Sequence, residues 1–311
     1  MLNQIKIGKS AVETTTLGLG TNKVGGHNLF KNLQDEDGHQ LVETALNQGI
    51  TLLDTAFAYG YGRSEEIIGD VIQRYKREDI IIATKAAHDP ARDYAFNNDP
   101  AFLTQSVEDA LRRLKTDYID IFYIHFPDET TDKRAAVAAL QKLKEVGKIR
   151  AIGLSNFSLE QIKIANADGY VDIVEDAYSL VEREAETTTW EYLSKHGIGF
   201  VPYFPLASGL LTGKYTADQT FGPDDWQFNR PNFQSPRYEE ILAGVEVLRE
   251  VGRRYEAAPG QIALAWYMKH PKISAVIPGA RVAEQVLDNA KAATIHLSES
   301  DFKLIDQAFK K

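Results

Sequence analysis

The chain contains no cysteine among its 311 residues. That one absence excludes disulfides, thiolate nucleophiles and thiolate metal sites, and it fits a reducing cytosol. No apolar run approaches the roughly 20 residues needed to span a bilayer. The N-terminus, MLNQIKIGKSAVETTTLGLG, has no apolar signal core. A basic excess is also missing, with 35 Lys and Arg against 44 Asp and Glu and a formal net charge of -9. An acidic chain without a long basic run is a poor match to nucleic acid, although a local pocket for one phosphate stays open. Low-complexity tracts and Pro-rich linkers are absent. What remains is a cytoplasmic protein with neither nucleic acid nor membrane as partner. Its 43% hydrophobic residues are enough for a sizeable core.

What is present is a regular alternation. Strand-like runs read TTLGLGT (15–21), ITLLDTA (50–56), IIIATKA (80–86), YIDIFYIHF (118–126), IRAIGLSN (149–156), VDIVEDAYSL (171–180), IGFVPYFPL (198–206) and ISAVIPGA (273–280). Near-continuous Ile, Val and Leu runs suit parallel strands buried on both faces. Between them lie amphipathic helical patterns. DEDGHQLVETALNQG ends on a C-terminal Gly, and DPAFLTQSVEDALRRLKT and DKRAAVAALQKLKEVGK have similar form. SNFSLEQIKIANADG carries capping-box spacing from Ser158 to Gln161.

Eight such βα units predict an α/β fold, a (β/α)8 TIM barrel forming a single domain over 1–311. An N-terminal β-hairpin (3–14, turning at Gly8-Lys9-Ser10) should plug the barrel's N-terminal end, and an extra C-terminal helix should follow the last unit. The alternative is an open doubly wound sheet. However, GLGTNKVGG lacks the G-x-G-x-x-G spacing, and no other strand is followed by it. Residues 207–237, with GPDDWQFNRPNFQSP, exceed an ordinary connection and predict a lid.

Barrel active sites lie at the C-terminal ends of the strands. There the second strand ends at Asp54, the third at Lys85 and the fourth at His125, with Tyr59 in the loop after the second. Singly, each has a plain structural use: a cap, a rim cation, a core histidine, a rim aromatic. Together they fit proton transfer at a carbonyl oxygen. A free phenol titrates near 10, poorly matched to neutral pH. A nearby ammonium favours the phenolate. Asp54 would hold Lys85, and His125 would orient the carbonyl.

LLDTAFAYGYGRSEEIIG, IATKAA, IHFPD, AIGLSNFS and IPGARVAEQVLDN together resemble the aldo-keto reductase family over nearly the whole chain. GTNKVGGHNLF, TKAAH, YIDIFYIHFPDE and PYFPLASGLLTGKY most resemble its Bacillus inositol-operon branch. The resemblance implies a (β/α)8 barrel that binds NADP(H) without a Rossmann domain. It also implies hydride transfer between the nicotinamide and an aldehyde, a ketone or the corresponding alcohol. By the same resemblance Tyr59 is the general acid/base, Asp54 and Lys85 tune it, and His125 orients the substrate.

Cofactor positions follow likewise. Gly20, Thr21 and Asn22 flank the cofactor's centre, and Ser155 and Asn156 bind the carboxamide. Tyr203 stacks on the nicotinamide. Leu206, Ser208 and Leu210 cover the pyrophosphate with Lys214 nearby. Gly279, Arg281, Gln285, Asp288 and Asn289 take the 2′-phosphate and adenine. Arg281 offers a planar fork for phosphate, and a helix starting near Val282 would add N-terminal amides. Val24, Phe57, Phe126, Tyr203, Trp226 and Phe228 are expected to line the pocket for a small carbonyl or polyol substrate.

One position departs from the family, which usually has Gln where this chain has Glu175. A carboxylate there accepts but does not donate, and its charge would favour the oxidised nicotinamide ring. Pairing with Lys85 or protonation is the alternative. Two other functions compete: a metal-dependent barrel lyase or isomerase using His125, Asp128, Glu175 and Asp54, and a cofactor-binding regulatory protein. No diagnostic metal spacing supports the first, and retention of all four catalytic positions argues against the second.

Overall fold

The computed structural model describes residues 2–310. The chain begins as a hairpin, β1 (Gln4–Lys6) pairing antiparallel with β2 (Glu13–Thr15). Then come β3 (Gly18–Gly20), α1 (Asp35–Asn47), β4 (Leu52–Asp54), α2 (Arg63–Ile72) and β5 (Ile81–Ala86). A small antiparallel pair, β6 (His88–Asp89) and β7 (Ala95–Phe96), precedes α3 (Pro100–Leu114) and β8 (Ile119–Ile124). The alternation continues with α4 (Lys133–Glu145), β9 (Ile149–Ser155), α5 (Leu159–Ala165) and β10 (Ile173–Ala177). After α6 (Ala185–Thr188), α7 (Trp190–Lys195) and β11 (Gly199–Tyr203) come α8 (Arg237–Tyr255), α9 (Pro259–Lys269), α10 (Ala283–Lys291) and α11 (Glu299–Ala308). The last is the expected extra C-terminal helix.

Helix starts follow local chemistry. Asp99, Asp132 and Ser158 accept backbone N–H bonds at the N-termini of α3, α4 and α5, and Ser158 with Gln161 completes the expected capping box. Seven parallel strands pair in the order β3-β4-β5-β8-β9-β10-β11. The expected eighth strand does not form a continuous ladder. Isolated parallel bridges, Leu17 with Val276 and Gly20 with Gly279, close the ring instead. Pro278 has no N–H to offer, so only its carbonyl joins the closure, accepting from Gly20 N at 3.1 Å.

Inward side chains of the strands, among them Leu52, Ile81, Ile121, Tyr123, Ile173 and Val201, fill the barrel. Ile7 and Val12 of the hairpin are buried with them, so the hairpin does plug the barrel. Its turn needs Gly8: φ is +51°, and a Cβ would lie 2.0 Å from the Asp172 carbonyl. A larger apolar layer packs the helices on the barrel's outside.

The long connection is not a bare flap. It contains short 3-10 turns at Ala207–Thr212 and Pro231–Phe233. The Phe233 ring meets Tyr215 and Phe221 at 5.3 Å each and Trp226 at 5.2 Å. This cluster anchors the segment to α8 through Tyr238.

Candidate active site

Asp54 is the last residue of β4, Lys85 the penultimate residue of β5, and His125 the residue after β8. Neighbouring parallel strands bring these ends to one side of the barrel. Tyr59 comes from a tight turn, with its N–H donating to Ala56 O at 3.0 Å. Gly60 sustains that turn at φ +69°, where a Cβ would lie 2.0 Å from the Gly25 carbonyl. Below the turn, Glu65 accepts from Thr84 Oγ1 and Arg113 Nε at 2.6 Å each, tying α2 to β5 and α3.

The four side chains converge. Lys85 is buried, donates to Asp54 Oδ1, and gives a second proton to Thr55 O at 3.0 Å. Its Nζ lies 5.8 Å from the centre of the Tyr59 ring. The Tyr59 and His125 rings meet edge-on at 6.3 Å. Tyr123 forms the floor, its ring centre 5.4 Å from Lys85 Nζ, and Gly153 makes room for it.

Burial would lower the Lys85 ammonium, but the Asp54 and Glu175 carboxyls outweigh it and raise it. Burial dominates at Tyr59 and pushes the phenol up, although Lys85 pulls the other way. The expected lowering by the ammonium is therefore outweighed in the free protein, and Tyr59 holds its proton at neutral pH. Burial, Lys85 and His88 keep His125 neutral. A neutral phenol and a neutral imidazole beside a buried ammonium form a site that can donate a proton to a carbonyl oxygen.

Glu175 does not stand apart as a lone anion. Its Oε2 lies 3.3 Å from Lys85 Nζ, without hydrogen-bond alignment, and its carboxyl interacts directly with Asp54. Burial and Asp54 push it well above the usual carboxylate range. The carboxyl expected as an anion beside the nicotinamide thus sits within the Lys85 cluster, where burial and Asp54 oppose its charge and Lys85 favours it. Asp128 is directed elsewhere. It accepts from Asn98 N, Thr131 and Lys133, so the carboxylates of the metal reading are held by cations and hydrogen-bond donors. Among the described residues no group of three or more His, Asp or Glu is arranged to hold a metal ion.

Other expected positions divide into surface and core. Asn156, at φ +62°, donates to His125 O at 2.9 Å and to the adjacent Ser155 Oγ at 3.0 Å, and accepts from Tyr203 OH at 2.7 Å. Thr21 is fully buried and donates its hydroxyl to Asp54 O at 2.8 Å, so its side chain is a structural tie. Leu210 is buried among apolar neighbours, which leaves only its backbone for a ligand. Leu206 is half-buried and Ser208 exposed. Phe204, Ala207 and Ser208 all have positive φ, a concentration of backbone strain at the expected pyrophosphate loop. Gly20 and Gly279 pair at the closure beside the Asn22 side chain. Arg281 donates to Lys31 O at 3.0 Å, and its own N–H bonds Gln285 Oε1 at 2.7 Å just before α10. Asp288 pairs with Lys291 instead, and Asn289 is half-buried on the same helix.

In the pocket, Phe126 stacks on His125 at 4.6 Å and on Phe96 at 4.7 Å. Phe57 packs under the Arg113 guanidinium. Val24 is a correction: it is 1% exposed and packs toward Gly38 of α1, where no substrate reaches it. Trp226 packs one side on Phe233, Gln234 bonds the Phe228 backbone carbonyl, and both side chains remain exposed on the long connection. The sequence reading missed His88, whose ring lies 5.8 Å from His125 and 5.1 Å from Phe96. It stands three residues after Lys85, where TKAAH was the available signal. It also missed Lys23, whose ammonium is lowered by burial and then by Arg281 and Lys214. None of these three cations has a carboxylate partner among the described residues.

The chain matches the Aldo/keto reductase family over residues 16–310. It belongs to that family of oxidoreductases. It is 38% identical to the aldo-keto reductase YhdN of Bacillus subtilis, across 90% of this chain and 85% of that one. It is 31% identical to the NADH-specific methylglyoxal reductase of Escherichia coli, across 98% and 97%. Among solved structures it resembles the glycerol dehydrogenase AKR11B4 from Gluconobacter oxydans, with TM-score 0.88 and 32% identity, covering 98% of this chain and 94% of that chain.

Proposed function

We propose that residues 1–311 form one barrel domain that acts in the cytoplasm as an NADP(H)-dependent reductase of small aldehydes or ketones, or oxidises the corresponding alcohol. The observation that carries the reaction is the buried Lys85–Asp54 pair beneath a protonated Tyr59. Bound nicotinamide would supply or accept the hydride. Tyr59 gives its proton to the carbonyl oxygen, and Lys85, held by Asp54 and Thr55, stabilises the phenolate that remains. His125, held neutral and braced through its backbone by Asn156, orients that oxygen.

The unpaired cations Lys23, Lys214 and Arg281 support a phosphorylated cofactor, because such a group would replace missing counter-charges. They favour NADP(H) over the NADH used by the Escherichia coli relative. The aromatic wall of Phe126 and Phe96 beside His88 suits a small polar carbonyl compound. The resemblance to the inositol-operon branch supports a polyol or inosose substrate. Fluorescence titration with NADPH and NADH, followed by turnover on an aldehyde and polyol panel, tests the reading. Stoichiometric NADPH binding with no turnover on any member would instead assign a regulatory cofactor-binding role.

A further inference from the structure

Lys85 has three protons to give. Asp54 Oδ1 and Thr55 O take two. Two groups lie on the side left open: the Tyr59 ring, its centre 5.8 Å from Nζ, and Glu175 Oε2 at 3.3 Å. Oε2 is buried without a hydrogen-bond partner. If both carboxyls were ionised, the cluster would bury two anions against one cation, and an uncompensated buried charge is costly.

We propose that Glu175 is a positioning residue that shares one proton with Asp54, and so leaves the third N–H of Lys85 free for Tyr59. With its proton in place, Glu175 is a weak competitor for that N–H. When the proton leaves to solvent, the new carboxylate draws the ammonium toward itself, and Tyr59 loses the partner that stabilises its phenolate. The carboxyl pair, rather than the phenol, then limits the enzyme on the alkaline side. The titratable groups facing Glu175 are Asp54 from β4, Lys85 from β5, Tyr123 from β8, Tyr203 from β11 and Tyr59 from its turn. Ser155 faces it from β9 in register. Of these only Lys85 opposes protonation. Burial and Asp54 act against ionisation, in accord with the raised position of the Glu175 carboxyl, and the neutral phenols add no charge to either side.

This inference rests on Tyr59 as proton donor, but part of it is measurable in the free protein. Glu175→Gln replaces the protonated acid with a neutral group of the same shape. A carboxyl raised in the folded state stabilises most below its ordinary value of 4.5, and that contribution is lost as pH rises toward the folded value. The thermal midpoint of Glu175→Gln minus that of wild type should therefore grow steadily above that pH. A gap that stays flat with pH overturns proton sharing, whatever the enzyme's activity. Should Glu175→Gln fail to fold, Glu175→Ala serves the same comparison. For the catalytic part, the alkaline limb of kcat for carbonyl reduction should move upward in Glu175→Gln by about one pH unit or more, a tenfold rate difference at fixed pH on that limb. Superimposable limbs overturn the role assigned to the third N–H. Absence of turnover in the wild type would instead defeat the reductase reading and leave the thermal result standing.

Discussion

The Tyr203 hydroxyl donates to Asn156 Oδ1 at 2.7 Å, joining the end of β11 to the end of β9. Both residues are expected to meet the nicotinamide, one by stacking and one through the carboxamide. In the free protein the hydroxyl therefore occupies an acceptor the cofactor would use. Tyr203→Phe keeps the ring and removes the competitor. NADPH binding should tighten by up to about fivefold, on the order of 1 kcal/mol. A fluorescence titration showing weakening beyond tenfold would contradict this arrangement.

Tyr59 carries the proton, so Tyr59→Phe should lower carbonyl reduction by about 10²- to 10⁴-fold. The ring and its turn remain, and NADPH affinity should stay within a few-fold. Single-turnover kinetics beside equilibrium binding separate the two effects. Turnover surviving at near wild-type rate would remove Tyr59 from the chemistry.

Lys23, Lys214 and Arg281 lack carboxylate partners, and each charge-assisted bond to a phosphate contributes about 1.5–3 kcal/mol. Lys23→Ala or Arg281→Ala should weaken NADPH binding by about 10- to 100-fold and erode discrimination against NADH. The wild-type affinity should fall with added salt more steeply than that of either variant. Equal losses for NADPH and NADH in Arg281→Ala would show that this guanidinium does not read the extra phosphate.

Glu65 is fully buried, and Arg113 is the cation that pairs with it. Arg113→Ala leaves that carboxyl uncompensated, at a cost of about 3–5 kcal/mol near neutral pH. Burial already pushes Glu65 up, and Arg113 opposes that push. Without Arg113 the carboxyl rises further. The remaining stability is then fullest below the ordinary value of 4.5 and is lost as pH climbs. Thermal melts should show a deficit that widens from acid to neutral pH. A pH-independent deficit would mean that lost packing on Phe57, not charge, is responsible.

The fold was legible because its signals are local. Ile and Val runs, Asp and Ser caps and the Gly8 turn each act within a few residues, and the hairpin, seven of the strands and the helices formed where those signals lie. The eighth strand was over-read. ISAVIPGA has strand composition, but Pro278 and the closing geometry reduce it to bridges. Asp54, Tyr59, Lys85 and His125 were legible because strand ends in a barrel share one mouth. Val24 was misplaced because loop path decides its neighbours, and loop path is a tertiary property.

By itself the sequence determined which residues end each strand, and therefore which chemical groups meet at the barrel mouth: side-chain alternation and parallel register leave them little freedom. Only the tertiary structure decided how those groups share protons. Burial outweighs the ammonium at Tyr59, and burial with the nearness of Asp54 raises the Glu175 carboxyl. Neither desolvation nor the separation of charges from different strands is a local quantity, so no stretch of sequence contains it.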